Sequence, residues 1–331
     1  MSMTERLDRV QRRHPAAGLP IAVLYKFFDD SGTYLAALIA YYGFVSLFPA
    51  LLLLSTVLGF VLRGNPQLEQ QLLHSALSEF PVIGPDLGQP GHIGGGIGGL
   101  VIGLLGALYG GLGVANAMQY AMNTVWMVPR HRRPDPIRAR GRGLLLLATT
   151  GLTVLATTVL SALASSGGAF GARLGVGWPA LLTAIAVLVN AGVFLLAFRI
   201  STARRLTVRQ IAPGALLAAL VWQLLQSFGG VYVGHVVKSE SVTHGVFALV
   251  LGLLAFLYLA AFAVVLCAEI NVVRVERLWP RALLTPFTDD VELTGGDERT
   301  YAGAAESQRM KGFEEVDVRF HGRPPRSAPH P

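Results

Sequence analysis

Cysteine, charge and clustered catalytic side chains are all scarce in this sequence. Its 331 residues include one cysteine, Cys267, which excludes an intramolecular disulfide and a thiolate metal cluster. Only 14% of the residues are charged, whereas soluble domains carry about 25%. The histidine, aspartate and glutamate residues are scattered, and no serine has a plausible base near it. We therefore expect no enzyme, with no catalytic residue, no metal site and no cofactor.

Long apolar segments stand where charge is missing. Hydrophobic residues make up 52% of the chain, and a helix needs about 20 mostly apolar residues to span a bilayer. Six segments meet this requirement, and Glu269 is the only charged residue in any of them. They cover residues 33–62, 95–127, 143–166, 178–198, 211–236 and 244–273. The sequence predicts an all-α polytopic membrane protein, a bundle of about six transmembrane helices whose main partner is the lipid bilayer.

The basic residues are distributed unevenly between alternate connections. The N-terminal arm holds five Lys and Arg residues, the second connection six, the fourth four and the C-terminal tail, counted from Arg274, nine, whereas each of the other connections holds one. Lys and Arg accumulate on the cytoplasmic side of membrane proteins. We therefore expect a bacterial cytoplasmic (inner) membrane protein with both termini in the cytoplasm. The net charge of +7 is then explained without a nucleic-acid partner.

The two ends of the chain differ from its middle in composition. Residues 1–30 are predicted to be a cytoplasmic N-terminal arm, and residues 31–275 the six-helix membrane domain. Residues 276–331 are rich in charged residues, glycine and proline and contain few large apolar residues. This composition predicts a cytoplasmic tail that is mostly disordered.

Polar side chains recur on one face of three of the predicted spans. On the second, fifth and sixth spans these residues are Asn116, Gln119, Asn123, Gln223, Ser227, His244, Tyr258 and Glu269. Such residues are costly in lipid and usually face a cavity or another helix. Two interpretations remain open: the faces line a polar path, or they form interhelical hydrogen bonds.

Glycine and proline mark further positions in the spans. Pro49 lies inside the first span, where its missing N–H predicts a kink. Gly94, Gly96 and Gly99 match a dinucleotide-binding pattern, but a membrane span follows instead of a strand-to-helix turn. Small residues recur at every fourth position from Gly91 to Gly111, which favours close helix packing. This packing would serve one chain or a homo-oligomer equally well.

The first span resembles the signature of the YihY/BrkB family of bacterial inner-membrane proteins. The matching segment is YLAALIAYYGFVSLFP, from Tyr34 to Pro49. The resemblance extends over about residues 20–275. It includes an Asn-x-x-Trp element and an Ala-Glu-x-Asn element, at Asn123 and Trp126 and at Ala268, Glu269 and Asn271. The chain departs from the family pattern at Val246, where Ser is common, and at Cys267, where Gly is common.

The resemblance implies six helices in the cytoplasmic membrane, a name linked to serum resistance, and an old ribonuclease label. Three functional hypotheses follow. The first is a transporter or a translocator of lipid or envelope components, acting on a lipid or small-molecule substrate, with Glu269 as a gate or proton-linked group. The second is a non-transporting scaffold for envelope assembly. The remote third is a ribonuclease, for which these residues offer no support.

Overall fold

The described part of the chain is built of α-helices. The computed structural model describes residues 8, 11, 13, 15–61, 97–166, 178–236, 242–287 and 291–320. The helices are α1 (Pro15–Asp29), α2 (Gly32–Val61), α3 (Ile97–Val125), α4 (Pro136–Ser166), α5 (Trp178–Ser201), α6 (Val208–Val236), α7 (Val242–Glu276) and α8 (Gly295–Ser307). A 3-10 turn at Arg130–Arg132 precedes α4, and no strand occurs in these ranges. The all-α prediction is confirmed for this part of the chain.

The six long helices, α2 to α7, coincide with the six predicted spans. Within the described residues, α3, α5, α6 and α7 each contain a stretch long and apolar enough to cross a membrane. The described apolar stretch of α2 is shorter and covers Gly32–Leu47. These helices are typical of a membrane protein, whereas a count of six spans remains a prediction.

Helix α4 begins seven residues before the predicted span, at Pro136 rather than at residue 143. Asp135 precedes it and accepts a hydrogen bond from the backbone N–H of Arg138 at 2.8 Å. An aspartate before a proline in the first helical position is a favourable helix start. The basic residues that follow therefore lie on a helical extension of the apolar segment.

The long helices form a ring, and α3 also contacts α5 and α7 across it. Each helix from α2 to α6 contacts the next one along the chain, and α7 contacts α2. Helix α1 lies against α7, close to this point of closure. We call the end of the ring that carries α1, the α3–α4 and α5–α6 loops and the C-terminal segment the basic end.

Glycines let α3 approach its neighbours closely. A side chain at Gly110 would meet the Cα atom of Ser46 in α2 at 2.5 Å. At Gly106 it would meet the Pro49 ring at 2.7 Å, and α2 runs through Pro49 as one helix. Gly111 contacts Leu147 of α4. At these positions the small residues serve packing within one chain.

The C-terminal segment contains ordered structure where the sequence predicted disorder. Thr294 caps α8, and its side chain exchanges hydrogen bonds with Asp297 in a capping box. Asp297 and Thr300 are buried. The prediction of a disordered tail is therefore wrong for residues 291–320. The average composition of the tail does not reveal that a few of its polar residues are buried and hydrogen-bonded to one another.

Candidate functional site

A two-residue turn, Asp30 and Ser31, places α1 against the last long helix. Ser31 has a φ of 56° and its N–H donates to the carbonyl of Phe28 at 2.9 Å. The following Gly32 has no room for a side chain, because a Cβ atom there would overlap the Phe27 ring. The turn therefore folds α1 back beside α2 and directs Lys26 towards α7.

Lys26, Asp30 and Glu269 form a buried charge cluster, which we call the Lys26 centre. The side chains of Lys26 and Glu269 are 0% exposed and that of Asp30 is 9% exposed. The ammonium Nζ lies 3.7 Å from Oε2 of Glu269 and donates to Asp30. It also donates to the backbone carbonyl of Val125, at the end of α3, at 3.2 Å. Three helices and one turn thus converge on a single ammonium group.

The Lys26 centre holds two carboxyl groups and one ammonium. Burial lowers the pKa of Lys26, but the charges of Glu269 and Asp30 outweigh burial and hold this pKa above its ordinary value. Burial raises the pKa of Asp30, and Lys26 offsets the effect only in part. Neither carboxyl oxygen of Glu269 has a hydrogen-bond partner within the described part of the chain. The centre therefore holds one carboxyl group more than it has cations, and burial favours the protonated form of Asp30.

Asn271 and Arg274 bond to the backbone of α6, where Pro213 interrupts its hydrogen bonds. Pro213 has no N–H to donate to the carbonyl of Arg209, and Arg274 donates to that carbonyl at 2.8 Å. Asn271 accepts from the N–H of Gly214 at 2.9 Å and donates to the Ile211 carbonyl at 3.1 Å. Both side chains therefore join α7 to α6.

The buried polar residues of α3 bond to loops and neighbouring helices. Oδ1 of Asn123 accepts from the backbone N–H of Ala203, just after α5, at 2.8 Å. Nε2 of Gln119 donates to the carbonyl of Ala139 in α4 at 3.0 Å. The contact of Gln119 is interhelical, as one of the two interpretations of the polar faces requires, whereas Asn123 joins α3 to the loop after α5.

The remaining predicted site residues are placed differently. Asn116 is exposed although Gln119 and Asn123 on the same helix are buried. Ser227 is exposed and donates to the carbonyl of Gln223 in its own helix at 2.9 Å. Tyr258 is partly buried, whereas the side chain of His244 lies outside the described part. Glu269 is the predicted site residue that the structure joins to other charged groups.

Sequence reasoning missed a second buried cation, Arg281. Its side chain is 1% exposed and pairs with Asp29 at 3.0 Å and with Asp297 at 2.5 Å. Burial lowers the pKa of Arg281, but these two carboxylates hold it above its ordinary value. We call this group of three residues the Arg281 clasp. The clasp joins α1 to the C-terminal segment.

Two sequence signals pointed to these missed residues. Thr294 and Asp297 have the spacing of a capping box, which predicts a helix start inside the tail. Lys26 stands alone in an apolar stretch, IAVLYKFF, where a lysine needs a buried or interfacial partner. In the sequence, Lys26 contributes to the charge asymmetry that predicts topology, but its partner Glu269 is too far along the chain to be inferred from spacing.

One comparison with known proteins identifies a relationship. The family model described as "Virulence factor BrkB" matches residues 23–286. No curated protein and no solved structure matches the chain. The family resemblance seen over about residues 20–275 is confirmed. Within the described residues, no group of three His, Cys, Asp or Glu side chains is placed to bind a metal ion.

Proposed function

The chain belongs to the Virulence factor BrkB family, and from this premise we propose that it translocates a lipid, an envelope component or a small molecule across the bacterial cytoplasmic membrane. In this proposal α2 to α7 are the six spans and the basic end faces the cytoplasm. The proximity of α1, the arginine-rich loops and the C-terminal segment supports that orientation, because cytoplasmic loops are enriched in Lys and Arg.

The burial of Glu269 beside Lys26 carries the proposal. A carboxylate inside a span costs on the order of 3 kcal/mol even on a lenient insertion scale. Replacing a buried ion pair by apolar residues of similar size is often neutral or stabilising. A packing role alone does not require charge here, and Asn271 shows that an uncharged residue joins helices equally well. We therefore assign a functional role to the charge.

The proposed mechanism uses the extra carboxyl group of the Lys26 centre. With both carboxyl groups ionised the centre has a net charge of −1, and with one protonated it is neutral. Protonation of Glu269 weakens the attraction that draws the Lys26 ammonium towards this carboxyl group. Because α1 contacts α7 and continues into α2 through a short turn, protonation would change how the three helices pack. The centre thus acts as a proton-linked gate at the basic end.

Reconstitution in liposomes tests the proposal. Purified protein is placed in vesicles containing fluorescent phospholipids, and a membrane-impermeant quencher reports lipid movement between leaflets. A parallel set of vesicles reports the flux of common ions and of protons. We expect flux above that of empty vesicles, and a loss of at least tenfold in the Glu269→Gln variant.

Glu276→Gln is the matched control. Glu276 lies in the same helix, is partly exposed and pairs with Arg204 at 2.7 Å. The substitution is the same isosteric loss of charge outside the Lys26 centre, and we expect flux to be retained. Absence of flux in folded wild-type protein, or equal flux in wild type and Glu269→Gln, would contradict the proposal.

A scaffold is the second candidate, and the hydrogen bonds of Gln119, Asn123 and Asn271 to neighbouring helices and loops favour it. A scaffold needs a rigid bundle and an anchored binding segment, and the Arg281 clasp provides such an anchor. In this case Glu269→Gln would leave envelope function intact in cells. Removing residues 291–331 would abolish that function without changing lipid or ion flux.

A further inference from the structure

A cavity of about 440 Å³ opens at the basic end, between two loops and the tail helix. Its lining includes Trp126 and Met127 after α3, Arg132 in the 3-10 turn, Arg204 and Arg205 after α5, and Glu306 of α8. None of these residues belongs to the Lys26 centre. The volume lies within the range of small-molecule sites, about 300–1,000 Å³.

More arginine than acidic side chains line the cavity. Arg204 is bonded to Glu276 at 2.7 Å and lies over the Trp126 ring at 5.6 Å. Glu306 accepts a hydrogen bond from Arg309 at 3.1 Å. Among the described residues, the side chains of Arg132 and Arg205 have no hydrogen-bond or ion-pair partner. Two guanidinium groups, each able to donate a pair of hydrogen bonds, therefore remain available at the cavity.

We propose that this cavity binds a phosphate-bearing anion. A guanidinium group donates two parallel hydrogen bonds to a phosphate, and Arg132 and Arg205 reach the cavity from two different loops. The wall formed by Trp126 and Met127 offers apolar contact to an organic portion of the ligand. The headgroup of an anionic phospholipid and a soluble phosphorylated compound both have this chemistry.

The tail helix closes one wall of the cavity. Gly303 of α8 packs so closely on Met127 that a Cβ atom there would lie 2.6 Å from the sulfur. The backbone N–H of His131 donates to the carbonyl of Arg309 at 3.2 Å. A bound anion would thus bridge the α3–α4 loop and the α5–α6 loop beside the wall formed by α8.

Calorimetry of the full chain in detergent tests the site directly. The probes are inorganic pyrophosphate and short-chain phosphatidic acid, with short-chain phosphatidylcholine as the zwitterionic control. We expect saturable binding of at least one of the two anions at physiological ionic strength, weakening as salt is added. Preference for pyrophosphate indicates a soluble ligand, and preference for phosphatidic acid indicates a lipid headgroup. The test needs no flux, so it stands apart from the transport proposal.

Removing a positive charge and removing a negative charge should change the affinity in opposite directions, which distinguishes a specific site from a generally basic surface. Arg132→Gln and Arg205→Gln should each lower the affinity about tenfold, the effect of roughly 1.4 kcal/mol. Glu306→Gln should raise it several-fold, because it removes the carboxylate from the lining; a folding defect would not produce this gain. Arg140→Gln, an exposed position in the α3–α4 region outside the lining, is the matched control and should change nothing. Absence of saturable binding, or equal losses in the control, would overturn the proposal.

Discussion

At the scale of single residues, the buried charged side chains are held in place by the oppositely charged groups with which each of them pairs. Lys26 is fully buried and contacts two carboxyl groups and one carbonyl. Asp29, the neighbour of Asp30, pairs with Arg281 in the clasp. Two consecutive aspartates therefore serve two different buried cations. We expect substitutions at these positions to have effects that are not additive.

Replacing Lys26 by methionine should destabilise the protein strongly. The variant keeps the length of the side chain but leaves Asp30 and Glu269 buried without a cation. Breaking a buried ion pair on one side costs about 3–5 kcal/mol. Thermal unfolding in detergent should therefore show a melting temperature well below that of wild type. Lys311→Met, at an exposed position, should leave it unchanged.

A double variant tests whether the two effects are coupled. Adding Glu269→Gln to Lys26→Met removes part of the uncompensated negative charge. We expect the double variant to be more stable than the sum of the single effects predicts, with a coupling of about 1–3 kcal/mol. Purely additive losses would show that Lys26 and Glu269 do not interact in the folded protein.

Stability should also depend on pH through Asp30. The groups that act on it are Lys26, Glu269 and Asp29, and burial is the largest cause of its raised pKa. A carboxyl group with a raised pKa in the folded state costs stability once it ionises. This cost appears as pH rises above the ordinary carboxyl pKa of about 4 and is complete above the raised value.

Asp30→Asn should remove this dependence on pH. The melting temperature of the variant, measured relative to wild type across that interval, should rise with pH. A difference that falls as pH rises would mean that the fold stabilises Asp30 as an anion and lowers its pKa instead of raising it.

At the scale of helices, α6 and α7 form one unit because α7 supplies a donor to the Arg209 carbonyl, which Pro213 cannot serve, and further hydrogen bonds beside it. Arg274 and Asn271 reach the backbone groups on either side of that proline. The contact requires Gly214, since a Cβ atom at this position would overlap the backbone oxygen of Cys267. The close approach of α6 to α7 and the hydrogen bonds between these two helices therefore depend on each other.

Gly214→Ala should separate α6 from α7 and destabilise the bundle. Overpacking of this kind costs about 1–3 kcal/mol, so the melting temperature in detergent should fall by several degrees. The matched control is Gly192→Ala in α5, where a Cβ atom would have nothing within 4 Å. The control should be neutral or slightly stabilising, because alanine favours a helix more than glycine does. Equal effects at the two positions would show that α6 and α7 do not depend on close approach at Gly214.

The sequence predicted the helices far better than it predicted their contacts. Apolar length alone located α2 to α7, because a membrane imposes one length on every span. The contacts of Gln119, Asn123 and Glu269 depend on which helices are neighbours, and periodicity within one helix carries no such information. Helix α1 was missed for a related reason: Lys26 interrupts its apolar stretch, and the partner Glu269 is distant in sequence.

At the scale of the whole molecule, the described segment before the first long helix contacts the described segment after the last. The Arg281 clasp links Asp29, before the first long helix, to Asp297, after the last. Gln11 adds to this link by donating to the carbonyl of Arg281. Residues outside the ring of long helices therefore stabilise the region where α7 contacts α2.

Arg281→Gln should release the C-terminal segment from the bundle. The variant removes two ion pairs and leaves Asp297 buried without its cation, so α8 should become accessible to protease. Limited trypsin digestion followed by mass spectrometry should show faster cleavage after Arg299 and Arg309. Arg319→Gln removes an exposed ion pair with Asp317 and should leave cleavage at those sites unchanged. Unaltered cleavage in Arg281→Gln would show that other contacts hold α8.

The position of the Lys26 centre along the chain has a consequence for biogenesis. Glu269 follows Lys26 by 243 residues, and a ribosome adds about 5–20 residues per second. Lys26 is therefore made roughly 12–50 s before its partner emerges. During that interval Asp30 is the only carboxylate of the Lys26 centre that has been made, so the centre is incomplete and the contact of α1 with α7 cannot form. Glu269, by contrast, finds Lys26 already made when the last long helix is inserted, and the two side chains can then pair and be buried together.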